Sequence, residues 1–279
     1  MISNVQSLKD KAKGFASKNN LQVQVVLQNF MFERFLARLA VSKYKDNFIL
    51  KGGFLLSSIM GINIRATMDI DANITGMDFD EEEIRRLVNE VASIDLNDNV
   101  KFQVDKEKVI KEDNEYGRYC YKLIGQLYNI VIPFSIDIST GDIITPRAIE
   151  YKYKTILEDE YINLYTYNYE TIIAEKLQTV LTRGIANSRM KDFYDLYYFV
   201  NYKWKDIDAT TLQKAIMTTF KHRDTQDDLE GFEKILNLIE KDETMNVRWK
   251  AYQNGFLYAK DIDFKTVIES IRKFENVIL

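Results

Sequence analysis

The spacing of apolar residues switches between a strand period and a helix period along this chain, and that switching constrains the fold more than any other feature. Four stretches, at about 67–75, 99–111, 118–127 and 129–138, alternate apolar and polar residues in the manner of half-buried strands. From about residue 169 to the end, apolar residues recur at helical spacing, over 169–184, 189–202, 208–220, 228–241, 243–258 and 263–277. Two more helices are predicted at 5–18 and 22–43, the second from Val25, Val26, Phe30, Phe32, Phe35, Leu36 and Leu39. Asp78 and Asp80 introduce another, with acids in its first turn where the helix dipole favours them. Turns at Tyr116-Gly117 and Tyr128-Asn129 make the last three alternating stretches an antiparallel run. Residues 146–165, rich in tyrosine, are expected to form a strand and a connection. With only 2 prolines and 11 glycines, the chain favours long regular elements over disordered linkers. The expected class is α/β (α+β): a mixed-sheet domain flanked by helices over 1–165, then an all-helical C-terminal domain over 166–279.

Residue usage removes several chemistries. A single cysteine, Cys120, excludes an internal disulfide framework and any cysteine-based zinc site. Any serine–histidine or cysteine–histidine catalysis would depend on the one histidine, His222, which sits in the polar run KHRDTQDD and is expected on a surface loop. No apolar run approaches the ~18–20 residues of a membrane span, and the polar N-terminus lacks a signal core. The expectation is a cytoplasmic protein with no membrane partner. The formal charge is −4, and neither half has an excess of basic residues, so a nucleic-acid partner would have to use a local basic patch. Carboxylates, lysines and hydroxyls remain.

The carboxylates form a pattern. On a strand over 67–75, Thr67, Asp69 and Asp71 share one face while Met68, Ile70 and Ala72 share the other. Neighbouring carboxylates in a half-buried strand raise each other's pKa, and a divalent cation removes that penalty. FSIDIS repeats the pattern, with Phe134, Ile136 and Ile138 on one face and Ser135, Asp137 and Ser139 on the other. If the two strands are neighbours, Asp137 joins Asp69 and Asp71 in a set suited to two-metal phosphoryl transfer. An Asp-x-Asp also occurs in glycosyltransferases and on ordinary solvated strands.

Upstream, Lys51-Gly52-Gly53 follows an apolar stretch and opens a short helix through about Met60. Glycines at a helix N-terminus let backbone N–H groups approach a phosphate, and Ser57 and Ser58 add hydroxyls one turn on. The P-loop pattern is absent, and a lone Gly-Gly is more often only a tight turn. A glycine turn, a helix and an Asp-x-Asp strand in close succession place phosphate donors beside metal ligands.

Together the segments K-G-G-F-L-L at 51–56 and R-A-T-M-D-I-D at 65–71 resemble the signature of the AbiEii/AbiGii nucleotidyltransferase toxins, within the DNA polymerase β-like nucleotidyltransferase superfamily. A-E-K-L at 174–177 is similar to the family's lysine helix, and R-M-K-D-F-Y-D-L-Y at 189–197 to its closing motif. The resemblance spans about residues 50–200, in order. It implies that 1–165 is the nucleotidyltransferase domain and that 166–279 contributes to the active-site cleft. It further implies that Lys51, Gly52, Gly53, Ser57, Arg65 and Thr67 meet the nucleotide, that Asp69 and Asp71, with Asp137 as a third ligand, hold Mg²⁺, that Lys176 contacts phosphate, and that Asp192 is required for activity. A serine is common in the family where Thr67 stands.

The implied activity is Mg²⁺-dependent transfer of a nucleoside monophosphate from an NTP to an acceptor. For some members that acceptor is the tRNA 3′ end, within toxin–antitoxin and phage abortive-infection systems. A cognate antitoxin and a monomeric toxin are the expected state. Read as residues alone, Lys176 could be a lysine snorkelling at the edge of an apolar helix face, and Asp192 and Asp195 a pair of acids stabilising a helix N-terminus. Lys203, Lys205, Lys214, Lys221 and Arg223 are candidates for acceptor phosphates, although a solvated helix face explains each one as well. The segment 183–189 is expected to be mobile. Two rival readings remain: nucleotidylyl transfer to a protein or small molecule, and a non-catalytic interaction protein with a relic nucleotide pocket.

Overall fold

The computed structural model describes residues 2, 4–65, 67, 69–110 and 117–278, of which 106–110 are described in backbone alone. Met68 and Tyr116, assigned above to a strand face and a turn, lie outside the described residues. The chain divides into two compact units, Met1–Asp142 with Ala148–Thr166, and Ile143–Arg147 with Tyr167–Leu279.

The first unit is built on a seven-stranded mixed sheet in the order β3-β4-β5-β2-β1-β7-β6. Its strands are β1 (Phe48–Lys51), β2 (Asp69–Ile74), β3 (Val100–Ile110), β4 (Arg118–Leu127), β5 (Ile130–Thr140), β6 (Ile149–Lys154) and β7 (Tyr161–Thr166). The expected antiparallel run is β3-β4-β5. The two parallel pairings are β2 with β5 and β1 with β7. Two features differ from expectation. FILK forms β1, three apolar residues and a lysine that run straight into a helix at Gly52, so its sequence carries no alternation to mark it. Residues 149–166 form two strands, β6 and β7, paired as an antiparallel hairpin.

Helix α1 (Val5–Asn19) is capped by Asn4, whose side chain accepts from Ser7 N. Helix α2 (Val23–Val41) supplies much of the aromatic core: Phe32 meets Phe54 and Phe134 edge-on at 5.5 Å, and Phe35 meets Phe102 at 5.9 Å. Several of its polar residues are buried as well, and Asn29, Glu33, Arg34 and Arg38 find partners. Arg38 forks onto both oxygens of Asp98, at 2.9 and 2.7 Å. Glu33 Oε1 accepts from Tyr153 Oη, Asn29 Nδ2 and Ile156 N. Helix α3 (Gly52–Met60) follows β1, and helix α4 (Glu81–Ser93) begins behind an Asp80 cap with three glutamates in its first turn.

The second unit is helical: α5 (Tyr169–Arg183), α6 (Met190–Tyr198), α7 (Ala209–His222), α8 (Gln226–Glu230), α9 (Phe232–Lys241), α10 (Glu243–Gly255), α11 (Phe264–Arg272) and α12 (Glu275–Ile278). An Asn or Asp caps four of these starts: Asn168, Asp208, Asp242 and Asp263 each accept from a backbone N–H three residues on. The predicted helix at 189–202 is α6 continued by a π-helical turn at Phe199–Lys203. His222 is exposed at the last residue of α7 rather than in a loop. Segment 183–189 is tied down: Arg248 Nη1 donates to Ile185 O and Asn187 O at 2.8 and 3.2 Å, and Asn187 is fully buried. No helix among the described residues is long and apolar enough to cross a membrane.

Candidate active site

Strand pairing brings the carboxylates together. β2 and β5 are parallel neighbours, with Asp69 opposite Ser135 and Asp71 opposite Asp137. β1 runs antiparallel on the other side of β2, with Lys51 opposite Asp71. A single row of the sheet therefore reads Lys51, Asp71, Asp137, Cys120 across four strands. Phe134, Ile136 and Ile138 of β5 are buried on the opposite face, which fixes the register: a slip of one residue would turn Asp137 into the core.

Asp69, Asp71 and Asp137 each offer a ligand oxygen within 4.8 Å of the others. Asp71 has its pKa raised, first by burial, then by the charge of Asp69, with Asp137 adding to both; the Gly53 N–H and Lys51 oppose the shift. Asp137 Oδ1 is buried with no hydrogen-bond partner. Clustered carboxylates, one with a raised pKa and another with an unsatisfied buried oxygen, fit a hard divalent cation that prefers oxygen ligands.

The glycine turn is shaped to this cluster. Gly52 has φ +63, a conformation that favours glycine, and a Cβ there would stand 2.1 Å from Asp71 Oδ2. Gly53 donates its N–H to the same oxygen at 3.0 Å, and a Cβ on Gly53 would stand 2.5 Å from Thr67 Oγ1. Thr67 lies just before β2 rather than on it, and its hydroxyl donates to Asp69 Oδ1 at 2.7 Å. The two glycines let the start of α3 and the carboxylate strand approach within hydrogen-bond distance.

The other candidates are placed as follows. Ser57 is buried, and Ser58 Oγ shares a hydrogen bond with Tyr151 Oη, so Thr67 is the hydroxyl that meets the carboxylates. Lys51 pairs with Asp142. Arg65 is buried, 8% exposed. Sequence reasoning missed Arg118, whose guanidinium pairs with Asp137 and stands 4.0 Å from Asp71 Oδ1. It also missed Cys120, whose thiol is pushed up to about 11 by burial and by Asp137. The signal was present: alternation over 118–127 puts Arg118 and Cys120 on the face away from buried Tyr121 and Leu123. The partner strand of that face was not readable.

In the second unit, Lys176 Nζ lies 2.7 Å from Asp192 Oδ1 and 2.6 Å from Asp195 Oδ2, and Arg189 Nε lies 2.7 Å from Asp192 Oδ2. Both aspartates are buried, Asp192 in the first turn of α6, and the Lys176 ammonium is held between them rather than snorkelling to solvent. Burial alone would raise the Asp192 pKa; Lys176 and then Arg189 outweigh it and hold the carboxyl well below the usual range. Among the basic candidates, Arg223 pairs with Glu175 and donates to Gln178, and Lys203 pairs with Asp206, while Lys205, Lys214 and Lys221 are exposed.

Residues 34–270 match the family model described as the nucleotidyl transferase AbiEii toxin of a Type IV toxin–antitoxin system. The fold is similar to that of two solved structures from Helicobacter pylori. One is described as a candidate nucleotidyltransferase, with 14% identity, a TM-score of 0.50 and coverage of 92% of this chain and 96% of that one. The other is JHP933, with 15% identity, a TM-score of 0.50 and coverage of 92% and 93%. No curated protein is a significant match for the sequence.

Proposed function

Since the chain belongs to the AbiEii nucleotidyl transferase toxin family, we propose that it transfers a nucleoside monophosphate from an NTP to the 3′ end of tRNA, arresting growth as the toxin of an abortive-infection system with a cognate antitoxin. The observation that carries this is the convergence of Asp69, Asp71 and Asp137 from two adjacent parallel strands beneath the Gly52-Gly53 turn.

In this proposal the triphosphate lies along the N-terminus of α3, where the first backbone N–H groups have no intrahelical acceptor and the helix dipole favours an anion. Lys51 and Thr67 stand beside the carboxylates and are the polar groups that meet it. Asp69, Asp71 and Asp137 would hold Mg²⁺, which would neutralise phosphate charge and lower the pKa of the attacking hydroxyl. Thr67 fixes one oxygen of Asp69, and Gly53 fixes one oxygen of Asp71, so neither carboxylate rotates freely when it takes up its ligand. Asp137, the third carboxylate of the cluster, would help to lower the pKa of the acceptor hydroxyl. The family resemblance gives Lys176 a phosphate contact, and its ammonium already compensates two buried carboxylates. Asp192 serves by holding Lys176.

The test is label transfer from α-labelled NTPs, with Mg²⁺, to total RNA or to total protein. A tRNA-sized labelled band is expected. Label confined to protein or to a small molecule would overturn the acceptor assignment while leaving the transferase in place.

A further inference from the structure

We propose that Arg118 is the internal counter-ion of the carboxylate site: it holds Asp137 in the metal-free protein and sets how tightly the site takes a divalent cation. The inference rests on reading Asp69, Asp71 and Asp137 as a divalent-cation site. It makes Arg118 a positioning residue that acts through Asp137.

The geometry is specific. Arg118 opens β4 opposite Ser139, while Cys120 is the residue opposite Asp137. The Arg118 side chain therefore reaches diagonally across two positions of the ladder to meet Asp137 Oδ2, and it ends 4.0 Å from Asp71 Oδ1. Lys51, the other cation in the row, pairs with Asp142. Arg118 thus answers one oxygen of Asp137 and leaves Oδ1 buried without a hydrogen-bond partner. One guanidinium facing three carboxylates leaves the cluster with net negative charge.

A cation that binds these carboxylates must approach the guanidinium. Even at a water-like dielectric, a doubly charged ion and a guanidinium about 5 Å apart repel by enough to change an affinity about tenfold, and added salt reduces the effect. Arg118 has room to yield, because its side chain is 37% exposed and an arginine can swing its head into water while its stem stays packed. Metal entry therefore exchanges the Arg118–Asp137 pair for an Asp137–metal bond, and the cost of breaking the pair is subtracted from metal affinity. An ordinary surface ion pair would have no such linkage. A pure phosphate contact would affect NTP binding without affecting metal bound alone.

The experiment titrates Mn²⁺ alone into metal-free wild type, R118Q and R118K by calorimetry, with thermal unfolding followed in parallel. R118Q should bind Mn²⁺ about fivefold or more tightly than wild type. Its metal-free Tm should fall, because three carboxylates lose their counter-ion, and Mn²⁺ should raise its Tm by more than it raises that of wild type. R118K, which keeps the charge, should stay closer to wild type on both readouts. Binding by R118Q with none by wild type would be the same effect at its limit. Equal or weaker Mn²⁺ binding by R118Q overturns the proposal, and if NTP binding weakens at the same time, Arg118 is a phosphate contact instead. Absence of Mn²⁺ binding in all three proteins overturns the underlying reading of the carboxylate site.

Discussion

Gly53 donates its backbone N–H to Asp71 Oδ2 at 3.0 Å, which ties the start of helix α3 to the carboxylate strand. The glycine turn and the Asp-x-Asp are therefore two halves of one construction, separated by 18 residues in sequence and by a single hydrogen bond in space. A turn that merely reversed the chain would tolerate a methyl group. This one would not.

Gly52→Ala should show this. An alanine at φ +63 costs about 1 kcal/mol from backbone conformation alone, and its Cβ would stand 2.1 Å from the Asp71 carboxylate, so Asp71 must move. We expect a lower Tm together with Mn²⁺ affinity reduced by an order of magnitude or more, read by thermal unfolding and calorimetry. Wild-type metal affinity in a folded Gly52→Ala protein would mean that the turn does not position Asp71.

Much of this arrangement was legible before any coordinates. Alternation in FSIDIS put Asp137 on a polar face, and the buried Phe134, Ile136 and Ile138 bear that out. Helical spacing of apolar residues located α5, α7, α10 and α11, and an Asn or Asp cap stands at the start of each. What stayed hidden depended on strand order. FILK sets three apolar residues in a row before Lys51, so no alternation reveals its pleat, and nothing local states that β4 lies beside β5 with Arg118 two residues from Cys120, the partner of Asp137. Lys176 misled for the same reason: on its own helix it sits at an apolar edge, and its two carboxylate partners arrive from α6.

Lys176→Ala leaves Asp192 and Asp195 buried without their shared cation, and breaking a buried pair from one side costs about 3–5 kcal/mol. Lys176→Met, which fills the volume, should destabilise by a similar amount. Loss of activity in either variant therefore needs a Tm beside it. Unchanged thermal stability would show that the cluster is not structural.

The same cluster sets an acid limit. The Asp192 carboxyl is depressed in the folded protein, so its contribution to stability is present above the ordinary carboxylate pKa of about 4 and is lost as pH falls below it. Wild type should lose Tm below about pH 4 more steeply than Asp192→Asn, which has no ionised carboxylate to protonate. Parallel curves for the two proteins would contradict the assignment.

Glu33 works in the opposite sense. Burial raises its pKa to about 8, against hydrogen bonds from Ile156 and Tyr153 that favour the charged form. A raised carboxyl gives its full stability below its unfolded pKa of about 4.3, and that contribution is lost as pH rises through about 8. Glu33→Gln keeps an acceptor for Tyr153 and Ile156 but cannot ionise. Its Tm should be near that of wild type at pH 5 and above it at pH 8.5, by an amount on the order of a few kcal/mol in stability. A difference that does not change with pH would show that Glu33 stays charged throughout.

The central claim is that Asp69, Asp71 and Asp137 form the metal-dependent centre for nucleotidyl transfer. The most direct measurement is transfer of label from α-labelled NTPs to total RNA by wild type, Asp69→Asn and Asp71→Asn, each shown to be folded, across a Mg²⁺ titration. The claim predicts transfer by wild type that rises with Mg²⁺ and stops on chelation, and a loss of about a thousandfold or more in both variants. Transfer by Asp69→Asn or Asp71→Asn at the wild-type rate, or by wild type at full rate after chelation, would contradict it.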